Sequence, residues 1–277
     1  MIKNLDVMVA NPAGNITIMV LTPVDRKDYA QVTSALLGMT FTDASGEQVQ
    51  GEQVCFILPR NNPSELSAME MSGLEFCGNA SRSFARYIAG LENPPLEEVT
   101  VSVSGCAYPL TASVDIPGER SRIRMPLPDS FTEYTADELQ LSVGGTLVNM
   151  DGISHLVLRG IRADRETFDK LKDFIYNRER LDLPAFGVMF TESDSEAMTP
   201  VVYVRDVDTT YFEGSCASGT TAAACALSLH REDGLHHMVF RQPEGVLEAF
   251  VTTKKGQIAS AELDGSITLS PVINVSV

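Results

Sequence analysis

The chain has 277 residues, 44% of them hydrophobic and 21% charged. With no low-complexity tract, this excludes a disordered or fibrous protein and leaves room for two ordinary domains. A formal net charge of −16 with no cluster of Lys or Arg opposes binding to phosphate backbones, so nucleic acid is not an expected partner.

Taken in chain order, the opening "MIKNLDVMVANPAGNITIMV" lacks the basic start and unbroken apolar run of a signal peptide. No later run approaches the ~18 apolar residues of a membrane span, and the reading is a cytoplasmic protein with no membrane partner. "ITIMVL" (16–21) reads as a strand, and "DRKDYAQVTSALLG" (25–38) as a helix capped by Asp25 with Tyr29, Val32 and Leu36 on one face. "QVCFIL" (53–58) is a second strand. "EFCGNASRSFARYI" then places Cys77 where a helix begins, with Ala80, Phe84 and Ile88 at helical spacing and Gly90 as a stop. After the strand "VTVSVSG" (99–105), Pro and Gly cluster in "IPGERSRIRMPLPDS" (116–130), which reads as a boundary.

The order then repeats. "HLVL" (155–158), "DRETFDKLKDFI" (164–175) capped by Asp164, "FGVMFT" (186–191), Cys216 ahead of the alanine-rich "TTAAACALSLH", and "MVFRQPEG" (238–245) follow in the same sequence. Asp25 and Asp164 are 139 residues apart, as are Cys77 and Cys216, and Asn15 and His155 are 140 apart. Accidental self-similarity is common in α/β proteins, but several landmarks sharing one shift point to duplicated halves. The expected fold class is α/β (α+β) with two pseudo-symmetric domains, each a curved, mostly antiparallel sheet around a central helix. The expected division is 1–122, completed by a C-terminal strand within 266–277, and 123–265. Halves that face one another would put Cys77 and Cys216 on either side of a ligand.

The five cysteines, Cys55, Cys77, Cys106, Cys216 and Cys225, are an odd number and argue against a disulfide framework. Cys55 and Cys225 lie inside apolar runs and read as small hydrophobes, and Cys106 as structural, with lining of the cleft as its alternative. Cys77 and Cys216 sit at helix N-termini, where unpaired N–H groups and the helix dipole favour a thiolate and are expected to lower the thiol pKa. N–H groups of Gly78, Asn79, Ala217 and Ser218 would converge on a carboxylate. Taking the α-proton from an amino acid builds charge onto that carboxylate, so donors fixed there favour the transition state. One cysteine as thiolate would take the proton and the other as thiol would return one to the opposite face. That chemistry needs no cofactor. No Cys-x-x-Cys is present and His236 and His237 are adjacent and read as surface residues, so no metal site is expected.

"FCGNASRSFARYI" and "SCASGT" resemble the two cysteine motifs of the diaminopimelate epimerase fold family of cofactor-independent racemases and epimerases. "NPAGNITIMV", "EQVCFI", "DGISHLVL" and "RQPEGVLEAFV" resemble its supporting segments, so the likeness spans nearly the whole chain. The resemblance implies that Cys77 and Cys216 are the acid/base pair, that Asn15, Gln53, Gly78 and Asn79 contact substrate, and that Ala217 and Ser218 are backbone donors. It also implies that His155 orients the reacting groups and that the protein is a homodimer. Singly, Asn15 reads equally as a turn residue, Gln53 as a strand-edge amide and His155 as a core histidine.

Departures bear on the substrate. Gly152, Ile153, Ser154 and His155 stand where diaminopimelate epimerases read Gly-Asn-Pro-His, Glu70 stands for an asparagine, and Ala185 and Phe186 lie near another. The Glu-Arg pair ahead of the second cysteine has only Val204-Arg205 and Glu213-Gly214 as counterparts. A second substrate carboxylate would be poorly paired, which is costly when buried. A closer likeness is to the histidine racemases that supply D-histidine for opine-type metallophores, carried by "NPAGNITIMV", "MSGLEFCGNA", "VSGC" and "SCASGT". On that reading Ile153 and Phe186 line an aromatic pocket, and Glu70 or Glu213 is a candidate partner for an imidazolium, against the alternative of a solvated glutamate. Ala217 stands where the group has glycine and is strained if its φ is positive. The expected activity is racemisation of histidine; diaminopimelate or another amino acid is the alternative substrate, and a non-catalytic amino-acid binder the alternative class.

Overall fold

The computed structural model describes residues 4–60, 62, 64–192 and 196–277. In chain order the first strands are β1 (Asn4–Asn11) and β2 (Thr17–Val20), then α1 (Tyr29–Leu37), the small hairpin β3 (Thr40–Thr42) and β4 (Gln48–Gln50), β5 (Gln53–Leu58) and β6 (Ser67–Met71). Helix α2 (Gly78–Gly90) follows, with β7 (Glu98–Val103), β8 (Leu110–Asp115) and β9 (Arg120–Arg124). The second stretch holds β10 (Ser130–Tyr134), α3 (Ala136–Leu139), β11 (Gly145–Met150), β12 (Ile153–Arg159), α4 (Arg165–Asp173), β13 (Ala185–Thr191), β14 (Met198–Val204) and β15 (Thr209–Phe212). It continues with α5 (Ala217–Ser228), β16 (Gly234–Arg241), β17 (Val246–Lys254) and β18 (Gln257–Ser266), before β19 (Thr268–Leu269) and β20 (Ile273–Ser276). The fold is a mixed α/β one built mostly of strands. No helix among the described residues is long and apolar enough to cross a membrane.

Two compact units divide the chain: residues up to Arg124 together with Asp264–Val277, and Met125–Leu263. In the first, the strand order is β9-β8-β7-β6-β5-β2-β1, and both β19 and β20 pair antiparallel with β1. The core beneath α1 joins Leu5, Val7, Val9, Ile18, Leu36, Val54 and Phe56, with Tyr29 stacked on Phe56 at 3.7 Å between ring centres. Helix α2 packs on β6, β7, β8 and β9. Its first turns, Gly78 to Ala85, are buried on every side. Five of the eight are Gly, Ala or Ser, small side chains that let strands approach the helix, while Phe84 and Arg82 add the bulk.

In the second unit the order is β10-β11-β12-β13-β14-β15, with β16, β17 and β18 as consecutive neighbours. Leu147, Leu156, Leu158, Phe168, Leu171, Phe186 and Val188 form its core against α4. Helix α5 lies on β12, β13 and β17, and its Ala222, Ala223, Ala224 and Cys225 are fully buried. The two stretches share one connection: β2 and β5 pair in parallel across α1, and β12 and β13 pair in parallel across α4.

The two acidic caps differ. Asp164 accepts the Thr167 N–H at 2.9 Å and caps α4. Asp25, expected to do the same, makes no capping bond, because a short 3₁₀ turn, Arg26–Asp28, intervenes before α1.

Candidate active site

The first half-site starts at the β1–β2 turn. Ala13 and Gly14 both take positive φ, 64° and 96°, a left-handed pair that a glycine makes affordable. Gly14 N–H donates to Asn11 Oδ1 at 2.8 Å, and the turn delivers Asn15 to the start of β2. Gln53 opens β5 opposite Thr17 in the parallel register. Its Nε2 donates to Asn15 Oδ1 at 2.7 Å and to Thr17 Oγ1 at 2.8 Å, and its Oε1 accepts from the Cys77 thiol at 3.2 Å.

Cys77 is the N-cap of α2, with φ −132° and ψ 112°, and its sulfur accepts the Ala80 N–H at 3.4 Å. The loop ahead of it is pinned by Gly105, where an added Cβ would run into the Phe76 backbone, and by Ser104 Oγ, which donates to Glu75 O at 2.8 Å. Asn79 Nδ2 donates to Asn15 Oδ1 at 3.3 Å, and Asn79 Oδ1 accepts from Arg82 at 3.1 Å. Arg82 is fully buried; its guanidinium also donates to Ser121 O, Gly265 O and Pro12 O at 3.2, 2.9 and 3.5 Å. Burial brings its pKa down to about 10, so it stays charged at neutral pH. On the other side, Asn15 Nδ2 donates to Glu52 Oε2 at 3.1 Å, and Glu52 also accepts the Ile16 N–H at 3.1 Å.

The second half-site repeats the cap. Cys216 has φ −125° and ψ 112°, and its sulfur accepts the Gly219 N–H at 3.3 Å. Its own N–H donates to Gln242 Oε1 at 2.8 Å, and Gln242 Nε2 donates to Thr220 Oγ1 at 2.9 Å. Ser218 Oγ lies 3.6 Å from the Cys216 sulfur and 2.9 Å from His155 Nε2. The Glu213 carboxylate hydrogen-bonds the Cys216 thiol. His155 is fully buried on β12 directly across from Gly187 of β13, where an added Cβ would run into His155 Nδ1. Burial drops the His155 pKa to about 3, so the ring is neutral.

Electrostatics overturn one expectation. Burial pushes the Cys77 thiol pKa up and outweighs the Ala80 N–H that opposes it. Burial and then the Glu213 charge push Cys216 well up. Helix-terminal donors are present at both sulfurs, but the loss of water costs the thiolate more than they return. Both cysteines are therefore thiols at neutral pH.

Of the residues singled out in the sequence, Asn15, Gln53, Cys77, Gly78 and Asn79 come together in the first unit, and His155, Glu213, Cys216, Ala217 and Ser218 in the second. Gly78 and Ala217 are the first helical residues after the two cysteines, and Ala217 is without positive-φ strain because it already lies in α5. Glu70 is not available to an imidazolium: it is buried and bound by Arg26 and the Tyr29 hydroxyl. Phe186 belongs to the core, against Phe168 and Tyr176. Arg205 pairs with Asp182. Cys55 and Cys225 are buried and inert, and Cys106 donates to Tyr108 O at 3.3 Å. Sequence reading missed Glu52, Arg82, Gly187 and Gln242, although Arg82 and Gln242 lie inside the motifs "CGNASRSF" and "RQPEG".

The architecture resembles that of known epimerases. A hydroxyproline epimerase from Agrobacterium vitis with bound trans-4-OH-L-proline superposes with a TM-score of 0.64, 13% identical, over 99% of this chain and 93% of that one. A predicted epimerase from Pseudomonas aeruginosa gives 0.69 at 12% identity, covering 98% and 99%. At the sequence level, the family described as "Histidine racemase CntK N-terminal domain" matches residues 4–272. A histidine racemase of Fusobacterium nucleatum subsp. nucleatum (strain ATCC 23726) is 33% identical over 262 residues, 90% of each chain. One from Staphylococcus aureus (strain Mu50) is 24% identical over 247 residues, 88% of this chain and 87% of its own. With the family matched from end to end and two cysteine-capped helices of the same geometry in hand, the chain belongs to the histidine racemase family of isomerases.

Proposed function

We propose that this protein interconverts L- and D-histidine at the α-carbon without a cofactor, with Cys77 and Cys216 as the two proton-transfer groups. The observation that carries the reading is the pair of cysteine N-caps: backbone angles within 10° of each other, a sulfur on the third N–H of a buried helix, and a hydrogen-bonding neighbour at each sulfur. Racemisation takes the α-proton from one face of the carbon and supplies a proton at the other. One cysteine, having first lost its thiol proton to solvent, accepts the C–H proton as thiolate, and the electron pair delocalises onto the carboxylate; the other thiol then gives its proton to the carbon. The product leaves with the two sulfurs in exchanged protonation states. First-turn N–H groups at Gly78, Asn79, Ala217 and Ser218 are the proposed donors to the carboxylate, where charge grows in the transition state. Asn15, Gln53, Asn79 and Glu213 hold the substrate and the sulfurs, and His155 orients Ser218 beside Cys216. The shared parallel crossover in the two units supports reading them as pseudo-symmetric domains of the diaminopimelate epimerase type. A homodimer is part of the same proposal, on resemblance.

The test is incubation of L-histidine with the protein in D₂O, followed by NMR of the α-proton and chiral chromatography. Deuterium at the α-carbon together with D-histidine is expected, and neither should form from diaminopimelate. Cys77→Ser and Cys216→Ser should each lose about 100-fold or more in racemisation, the scale of a positioned acid or base. Absence of deuterium incorporation into histidine, or near-normal racemisation by either variant, would overturn the reading.

A further inference from the structure

An amide side chain is nearly symmetric in shape, so which end donates is set by its neighbours. In the first half-site three amides, Asn79, Asn15 and Gln53, form one chain, and two groups with a single hydrogen-bonding sense hold it, one on Asn79 and one on Asn15. Arg82 can only donate, so Asn79 presents Oδ1 to it and Nδ2 to Asn15. Glu52 as a carboxylate can only accept, so Asn15 presents Nδ2 to it and Oδ1 inward. Two donors meet on that oxygen, Asn79 Nδ2 and Gln53 Nε2. The Thr17 hydroxyl, which donates to Asn15 O at 3.2 Å, takes the other Gln53 N–H. Gln53 is left with its carbonyl oxygen toward the Cys77 sulfur at 3.2 Å. A carbonyl oxygen bonds a thiol and repels a thiolate.

We infer that Glu52 and Arg82 are positioning residues that fix the donor–acceptor sense of the Asn79–Asn15–Gln53 chain, so that Gln53 turns its carbonyl to Cys77 and this cysteine rests as the proton-carrying thiol. The charged or titratable groups around that sulfur are Glu75 in the preceding loop, Cys55 on β5 and Arg82 on α2. The Glu75 charge raises the thiol pKa. At Cys216 the corresponding neighbour is the Glu213 carboxylate, whose charge also disfavours a thiolate. In the racemisation proposed above, on which this assignment of a role rests, Cys77 is therefore an acid in the resting protein.

The experiment is a double-mutant cycle read at Cys77 itself, without substrate: alkylation by iodoacetamide as a function of pH, resolved by peptide mass spectrometry. In the wild type the midpoint should lie above that of an ordinary thiol. Glu52→Lys puts a donor where an acceptor stood, reversing Asn15 and then Gln53, and should lower the midpoint by about one unit, tenfold more thiolate at a fixed pH. In a Gln53→Met background the same charge change acts only through space and should move the midpoint by less than half as much. Thermal melts verify folding, and Gln53→Leu is a second amide-free background should the first not fold. Equal shifts in both backgrounds, no shift in Glu52→Lys, or a wild-type Cys77 that labels as thiolate at neutral pH would each overturn the inference. Because alkylation needs no turnover, failure of histidine racemisation would remove the acid role and leave the test of the amide chain standing.

Discussion

His155 shows how one residue ties stability to the second half-site. It is neutral, fully buried and bonded through Nε2 to Ser218, and its ring takes the space a side chain at Gly187 would need. An unfolded histidine takes up a proton near its ordinary value of 6.5, whereas the folded one resists until about 3. Between those values the unfolded chain binds the extra proton, so stability is complete above 6.5 and falls as pH drops through that window. His155→Gln should flatten the dependence of the melting temperature on pH between about 6.5 and 3, and racemisation should fall with the loss of the Ser218 contact. Gly187 was invisible in the sequence because its role depends on the strand register that sets it against His155.

At the level of elements, the two cysteine-capped helices were legible before any coordinates. Apolar spacing after Cys77 and alanines after Cys216 located both N-termini, and the common offset paired them. The sign of the thiol pKa shift was not legible, since it depends on how closely other strands surround the sulfur, which no local pattern carries. Nor was the fate of Arg82: on a helical wheel an arginine reads as solvated, yet here it is the largest fully buried side chain. The caps of the two crossover helices give an equally local test. Asp164→Ala should cost about 1 kcal/mol, the usual worth of a cap, while Asp25→Ala should change stability little because its side chain caps nothing. Urea denaturation of both variants measures the difference.

For the whole molecule, the first unit is discontinuous: residues up to Arg124 are completed by Asp264–Val277. Strands β19 and β20 cover one side of β1, pairing Ala10 with Leu269 and Asn4 with Ser276. A fragment of residues 4–124 is thus expected to show no cooperative thermal transition by circular dichroism. A permuted fragment in which 264–277 precede residue 4 through a short turn should recover one, because Asn4 and Ser276 are already neighbours in the ladder. Pro and Gly signals marked the central passage between halves, but a returning terminal strand has no local signature beyond its alternation.

The buried guanidinium of Arg82 reaches Pro12, Ser121 and Gly265, three backbone carbonyls separated by nearly the full length of the chain. During synthesis on the ribosome, the first two partners emerge long before the third. Until the last of them arrives, the arginine that orients Asn79 has an unsatisfied donor to bury, so the cysteine motif encoded early is the one finished last. Nascent chains would carry an unassembled Cys77 through most of translation.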